Sequence, residues 1–307
     1  MEIYKTLPIL SSNEAPVTLT IGNFDGVHLG HQALINHTIA VAKQAKEKSA
    51  LITFSSHPQA TLNPSCPIPL LCTTEQKIKL LSNSGIDELY ILDFTQEFSL
   101  QSAEDFLQYL QAHMPFSNLI LGADAHLGKD RKGDRPLIEE IAKRLNFNVE
   151  YFPDYTVDGS KVSSGTIRRS IASGKFDEAK HLLGRPYTIF GPVLIGSGRG
   201  VAMGFPTIDV PLDSLSTPPA GVYAVSVESQ NTIYRGVANL SHPAPPKAAF
   251  VPVIEVHLLD PHLDLHGHFV SIQFMQFIRP EKRFDNLDDL KLQIARDVLA
   301  VNQLTLN

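Results

Sequence analysis

At 307 residues the chain is long enough for one large domain or two ordinary ones, and its 43% hydrophobic residues suffice for a core, which excludes a disordered chain. A formal net charge of −6 argues against generic binding to nucleic acid or an anionic membrane, which needs a basic face, but leaves room for an anionic small molecule held by a few local donors. Cys66 and Cys72 match no zinc or redox spacing, the opening MEIYKTLPILSSNE lacks the basic stretch and apolar core of a signal peptide, and no apolar run is long enough to cross a membrane, so a reduced, cytoplasmic protein is expected.

Residues 1–184 alternate strand and helix patterns. Strand-like runs fall at 17–22, 50–56, 88–94, 118–124 and 148–155. Helix-like runs between them cover 31–46, 74–83 (with Thr74 as cap), 102–113 (opened by Ser102) and 136–145 (capped by Asp134). Such alternation predicts a Rossmann-like α/β domain, a mostly parallel sheet with helices on both faces. Ligands in these sheets sit beyond the carboxyl ends of the strands. From about Gly184–Pro186 the pattern changes. Runs at 187–196, 221–229, 232–240, 253–260 and 268–279 follow one another with no helix between, as in an antiparallel meander or small β-barrel over 185–307. A C-terminal helix closes the chain, with Asn286 as cap and Leu287, Leu290, Ile294, Val298 and Val301 as its apolar stripe.

The first run ends in TIGNFDGVHLGH, where a strand hands over to a helix. A helix N-terminus offers unpaired N–H groups and partial positive charge, and a Gly-containing turn lets a phosphate approach the backbone. His28 and His31, three apart, share one side of the first turn and can donate to phosphate oxygens. Two plain surface histidines are the alternative. Zinc is a poor one, because no third ligand stands at useful spacing.

GNFDGVHLGH resembles the G-x-F-D-G-x-H-x-G-H signature of FMN adenylyltransferases, the N-terminal module of bacterial bifunctional riboflavin kinase/FAD synthetases. TTEQKIKLL (73–81), DFTQEFSLQSAEDF (93–106), VDGSKVSSGTIRRSIASG (157–174) and AKHLLGRPY (179–187) extend the resemblance in the expected order, and GRGVAMGFPTIDV (198–210) and VIEVHLLD (253–260) resemble the riboflavin kinase half. The resemblance implies ATP as co-substrate, riboflavin and FMN as flavin substrates, Mg²⁺, and no nucleic-acid or membrane partner; association of copies is left open. Gly22, Asn23, Phe24, Asp25, Gly26 and Gly30 would cradle ATP phosphates, with His28 and His31 at the reacting centre. Asn23 is a turn residue first. Ser163, Ser164 and Arg168 match a stretch that holds the phosphates from the far side, a sensible set for a polyphosphate at a helix start. Asp124, His57 and Pro58 match positions near nucleotide or flavin. The family's T-F-D-P-H-P reads TFSSHP here, so Ser55 replaces an acid, and GADAHLG (122–128) puts Ala125 and Leu127 where aromatics are usual. Two readings stay open: weaker flavin affinity at this site, or compensation by another aromatic such as Phe54.

A kinase acting on a hydroxyl needs a phosphate cradle, a metal ligand and a base. Gly196, Gly198, Gly200 and Gly204 supply flexible backbone, and Thr207 a hydroxyl for Mg²⁺. Glu255 stands in an otherwise apolar strand, on the face of Val253 and His257, which alone suits a solvent-facing residue equally well. The resemblance implies that Glu255 is the base for the riboflavin 5′-hydroxyl and that Asn239 lies near the flavin. The usual P-T-A-N reads PTID, placing Asp209 at the metal, and SHPAPPKAAF (241–250) carries three prolines. These departures keep two alternatives open: an adenylyltransferase with a degenerate barrel for flavin binding or assembly, and a nucleotidylyltransferase for another phosphorylated alcohol.

Overall fold

The computed structural model describes residues 1–8, 15–195, 198–212, 214–241, 252–260 and 265–304. Packing divides the chain into two units, one of Met1–Leu70 with Thr74–Thr166, the other of Leu71–Thr73 with Ile167–Asn307.

The first unit holds β1 (Glu2–Tyr4), β2 (Val17–Ile21), α1 (Leu29–Ala45), β3 (Lys48–Phe54), α2 (Pro58–Leu62), α3 (Thr74–Ser82), β4 (Glu88–Leu92), α4 (Ala103–His113), β5 (Phe116–Gly122), α5 (Arg135–Leu145), β6 (Asn148–Phe152) and a two-residue hairpin pair, β7 (Thr156–Val157) and β8 (Ser160–Lys161). The six longer-range strands form one parallel sheet in the order β1-β4-β3-β2-β5-β6. β2 and β4 are buried at every residue, as strands covered on both faces must be. Alternation sorts the side chains. Val17, Leu19 and Ile21 join Ile52 and Phe54 in a core with α4 and α5, while Leu51 and Leu89 join Leu34, Ile35 and Leu81 in a second core with α1 and α3. The chain runs outward from β2 through β3 to β4, then crosses back to β5 on the other flank of β2. The switch point lies between β2 and β5, at Ile21 and Gly122.

Ser102 and Asp134 cap their helices as expected, accepting from the N–H groups of Asp105 (3.0 Å) and Leu137 (3.1 Å). Thr74 does not cap: it is the first helical residue of α3, and its hydroxyl donates to the Ser55 carbonyl at 2.7 Å. β1, α2 and the β7–β8 hairpin were not expected from the sequence pattern; each is five residues or fewer.

α6 (Ser164–Ala172) begins in the first unit and ends in the second, which continues with α7 (Phe176–Leu183), β9 (Thr188–Pro192), α8 (Arg199–Met203), β10 (Thr207–Pro211), β11 (Gly221–Ser229), β12 (Thr232–Leu240), β13 (Val253–Leu258), β14 (Phe269–Arg279) and α9 (Leu287–Gln303). The strands form an antiparallel sheet in the order β10-β13-β12-β11-β14-β9. Leu194, just beyond β9, donates its N–H to the Asp209 carbonyl on β10 at 2.8 Å, so the two edges meet and the barrel is nearly closed. Asn286 caps α9, accepting from Asp289 N–H at 2.9 Å. Val301, with Val298 partly buried, packs on Val222, Ala224 and Val237, and Arg279 holds the buried Asp297 through paired bonds of 3.0 and 2.7 Å. The expected stripe is corrected at its start, because Leu287 is 64% exposed.

Candidate active sites

The turn after β2 lies at the switch point and is tightly specified. Gly22 N–H donates to the Ile52 carbonyl at 3.1 Å. Phe24 (φ 49°), Gly26 (φ 75°) and Val27 (φ 40°) then follow in left-handed conformations. For a β-branched residue such as Val27 this is strained, and strain of this kind persists only where the surroundings over-determine it. They do. The Asn23 carbonyl accepts from Thr53 Oγ1 (3.1 Å) and Lys77 Nζ (3.3 Å), Asp25 from Ser164 Oγ (3.1 Å), and Val27 from Gln32 Nε2 (2.9 Å).

His28 caps α1. Its Nδ1 accepts from His31 N–H at 3.2 Å, which puts the proton of the neutral ring on Nε2. The two imidazoles stack, with centroids 3.6 Å apart and planes 14° from parallel, and the Phe24 ring meets His31 edge-on at 5.2 Å. A Cβ on Gly30 would sit 3.2 Å from the His28 ring, so glycine there keeps the ring's seat open. Burial, then the nearby His28 and Lys77, hold His31 well below its ordinary pKa of 6.5, and its Nδ1 is buried without a partner. His31 is therefore neutral at neutral pH. Among the described residues no three His, Cys, Asp or Glu side chains gather as a metal site.

Ser163 caps α6, accepting from Thr166 N–H at 3.2 Å, while the Ser164 hydroxyl is spent on the Asp25 carbonyl. Arg168 stands one turn beyond Ser164 on the same helix. Asp124, just past the end of β5, is exposed and paired with Lys161 at 3.3 Å. His57 caps α2 through Nδ1, accepting from Gln59 N–H at 3.2 Å, with Pro58 as first helical residue. Phe54 is buried against Phe94 and Phe98, ring centroids 5.3 and 5.7 Å away, and the partly buried Phe94, Phe98, Ala125 and Leu127 pack on the same core. Two features escaped sequence reasoning. Ser55 donates to Asp93 Oδ1 at 2.6 Å, so a carboxylate from the next strand end reaches the position where the acid was missing. Lys77, a residue of α3, is buried directly behind the turn.

In the barrel, cross-strand register assembles the site. Glu255 on β13 stands opposite Asp209 on β10 and, on its other side, opposite Asn239 on β12. One row higher, Thr207 is opposite His257. Directly paired residues share a face, so Thr207, Asp209, Glu255, His257 and Asn239 form one polar patch. Glu255 is exposed. Burial raises the Asp209 carboxyl above its usual range, with His266 opposing. Asn239 donates to Ser241 Oγ at 3.3 Å, and His257 Nδ1 donates to the Pro206 carbonyl at 2.8 Å. The expected flexible Gly loop is, in its described part, a helical turn: Gly198 (φ 72°) and Gly204 (φ 85°) flank α8, and a Cβ on Gly200 would lie 2.4 Å from the Phe205 carbonyl oxygen. Gly196 and most of the proline-rich stretch 241–250 lie outside the described residues.

Residues 10–166 match the family model described as FAD synthetase, and residues 183–305 match riboflavin kinase. Fold and matches together define a two-part flavin transferase. Relatives named bifunctional riboflavin kinase/FMN adenylyltransferase include those of Haemophilus influenzae (36% identical, covering 91% of each chain), Escherichia coli K12 (33%, covering 93% of this chain and 91% of the relative) and Pseudomonas fluorescens (33%, covering 99% and 98%). The chain belongs to the bifunctional riboflavin kinase/FMN adenylyltransferase family, transferases that make FMN and FAD. A crystal structure named as a macrolide-efflux protein from Streptococcus pneumoniae shares the fold, with 27% identity and a TM-score of 0.78 over 99% of this chain and 100% of that one. Among the described residues no helix is long and apolar enough to cross a membrane.

Proposed function

We propose that residues 1–184 convert FMN to FAD and residues 185–307 convert riboflavin to FMN, each with ATP. The observation that carries the first assignment is the stacked histidine pair on a helix start at the sheet's switch point. There an FMN phosphate oxygen attacks the α-phosphorus of ATP, and the bond to the departing pyrophosphate breaks. His28 through Nε2–H, and His31, donate to phosphate oxygens as charge grows on them. Gly22 to Gly30 supply the cradle; Ser163 and Arg168 on α6 hold the far phosphates, and Ser164 secures the cradle through Asp25. The apolar face of Phe54, Phe94, Phe98, Ala125 and Leu127 supports the isoalloxazine ring, with Asp124, His57 and Pro58 at its margins.

In the barrel Glu255 takes the proton of the riboflavin 5′-hydroxyl, whose oxygen attacks the γ-phosphorus of ATP, and ADP leaves. Asn239, beside Glu255 in register, orients the flavin. The hydroxyl of Thr207 and carboxylate of Asp209 are hard oxygen donors on one face of β10 and fit Mg²⁺, which takes few protein ligands and shares substrate phosphates. Bound there, the ion would neutralise phosphate charge. Gly198, Gly200 and Gly204 shape the adjoining backbone. Cys66 and Cys72 form no disulfide, which suits a cytoplasmic setting.

Chromatography of products from ATP with riboflavin, and from ATP with FMN, tests both halves. Riboflavin should yield FMN and then FAD, with one pyrophosphate per FAD. FAD from FMN but no FMN from riboflavin would support the degenerate-barrel alternative. Neither product would reject both assignments.

A further inference from the structure

Lys77 is only 8% exposed, an unusual place for an ammonium group, since burying a charge is costly unless close partners offset it. Its Nζ donates to the carbonyls of Phe54 at 2.6 Å and Asn23 at 3.3 Å. These two acceptors belong to different segments. Phe54 ends β3, and Asn23 opens the turn after β2. The same turn carries Phe24 and Val27 at positive φ and leads into the histidine pair. Lys77 is also close enough to His31 for its charge to act on that ring.

A lysine whose only task was to fill space would be replaced by a long apolar side chain without burying a charge. Here the charge is kept, and it lies behind the backbone that we assign to the phosphates. We propose that Lys77 is a positioning residue for adenylyl transfer: it clamps the strained 22–28 turn to the end of β3 and sets a fixed positive charge behind His28 and His31. Its contribution grows as negative charge develops on the transferring phosphate, so it acts on kcat more than on ATP binding. The inference rests on the adenylyltransferase reading of the first unit.

The test uses the full chain, with riboflavin phosphorylation as an internal control. Lys77→Met should lower kcat for FAD formation about 30-fold or more, change KM for ATP less than about 3-fold and leave FMN formation from riboflavin unchanged. Lys77→Arg, which keeps the charge, should recover most of the lost rate, and Lys77→Gln, which keeps a donor without charge, should not. FAD kcat in Lys77→Met within about twofold of wild type would overturn the proposal. So would equal loss in the Met and Arg variants with FMN formation intact. If Lys77→Met loses both activities through misfolding, the Arg and Gln variants decide: Arg active and Gln slow supports the clamp, and equal rates reject it. Wild type that forms no FAD would instead reject the underlying reading, a result that no variant is needed to see.

Discussion

The first unit carries its phosphate cradle and histidine pair on one continuous turn, whereas the barrel gathers its polar row from three strands. In the turn, Gly22 to His31 are neighbours in sequence, and their geometry is set by local conformation, a histidine cap and carbonyls held from behind. In the barrel, Asp209, Glu255 and Asn239 are distant in sequence and meet only because β10, β13 and β12 pair in one register. The first arrangement fails if a turn relaxes. The second fails if a strand slips, because a one-residue slip would carry Glu255 to the opposite face. Each site should therefore be breakable without the other.

The largest effect is expected at Glu255. Glu255→Gln keeps the shape but cannot take the proton, and FMN formation from riboflavin should fall by roughly 10²–10⁴-fold. FAD formation from supplied FMN should persist. Unchanged FMN formation would make Glu255 a solvent-facing strand residue. The mirror experiment is His28→Ala, which removes both the proposed phosphate donor and the acceptor for His31 N–H. FAD formation should drop by roughly 10²–10³-fold, with riboflavin phosphorylation preserved. Equal losses of both activities in a folded variant would contradict two separate sites.

The same contrast explains what could be read from the chain alone. Contiguous features were legible: the GNFDGVHLGH turn, the caps Ser102, Asp134 and Asn286, and the long strands β11 and β12, whose joining residues Gln230 and Asn231 both take positive φ as a tight hairpin turn requires. Features made by packing were not. β10 is a five-residue strand ending in Pro211, with Gly204 and Pro206 just before it, too short and punctuated to show an alternation. Asp93 meets Ser55 only because β3 and β4 are adjacent in the sheet. Lys77 sits in a helical run where a lysine ordinarily faces water, and nothing in TTEQKIKLL marks it as buried. The Glu255 row was half visible: its residues could be named, but their adjacency is a property of register.

Acid should separate the units by sign. In the folded chain burial first, then His28 and Lys77, keep His31 far below 6.5, while unfolding returns it to that value. The folded state then binds fewer protons, so the stability due to His31 is fully present above pH 6.5 and is lost progressively as pH falls below it. Comparing melting temperatures of wild type and His31→Gln at pH 7 and pH 5 isolates this term. Wild type should lose more than the variant on acidification. Parallel losses would mean that His31 is not held neutral by its surroundings.

Asp209 should behave in the opposite sense, with the smallest effect. Burial raises its carboxyl above 3.8, so the folded barrel binds this proton more tightly than the unfolded chain does. Stability from this group is present below pH 3.8 and lost as pH rises through the raised value. At pH 7 without added metal, Asp209→Asn should therefore melt slightly above wild type, by about 2 °C, and the gap should close at low pH. Glu255 directly across the strand pair adds to the reason, since carboxylates placed opposite one another disfavour each other. Mg²⁺ supplies the counter-test. An ion that binds only the folded site raises its stability by mass action, more for a carboxylate ligand than for an amide. Added Mg²⁺ should lift wild type above Asp209→Asn, and riboflavin phosphorylation by the variant should persist with a higher Mg²⁺ optimum, while Asp209→Ala loses most of it. If Mg²⁺ raises the melting of wild type and Asp209→Asn equally, Asp209 is no ligand, and the acidic replacement in PTID is a tolerated charge rather than part of the metal site.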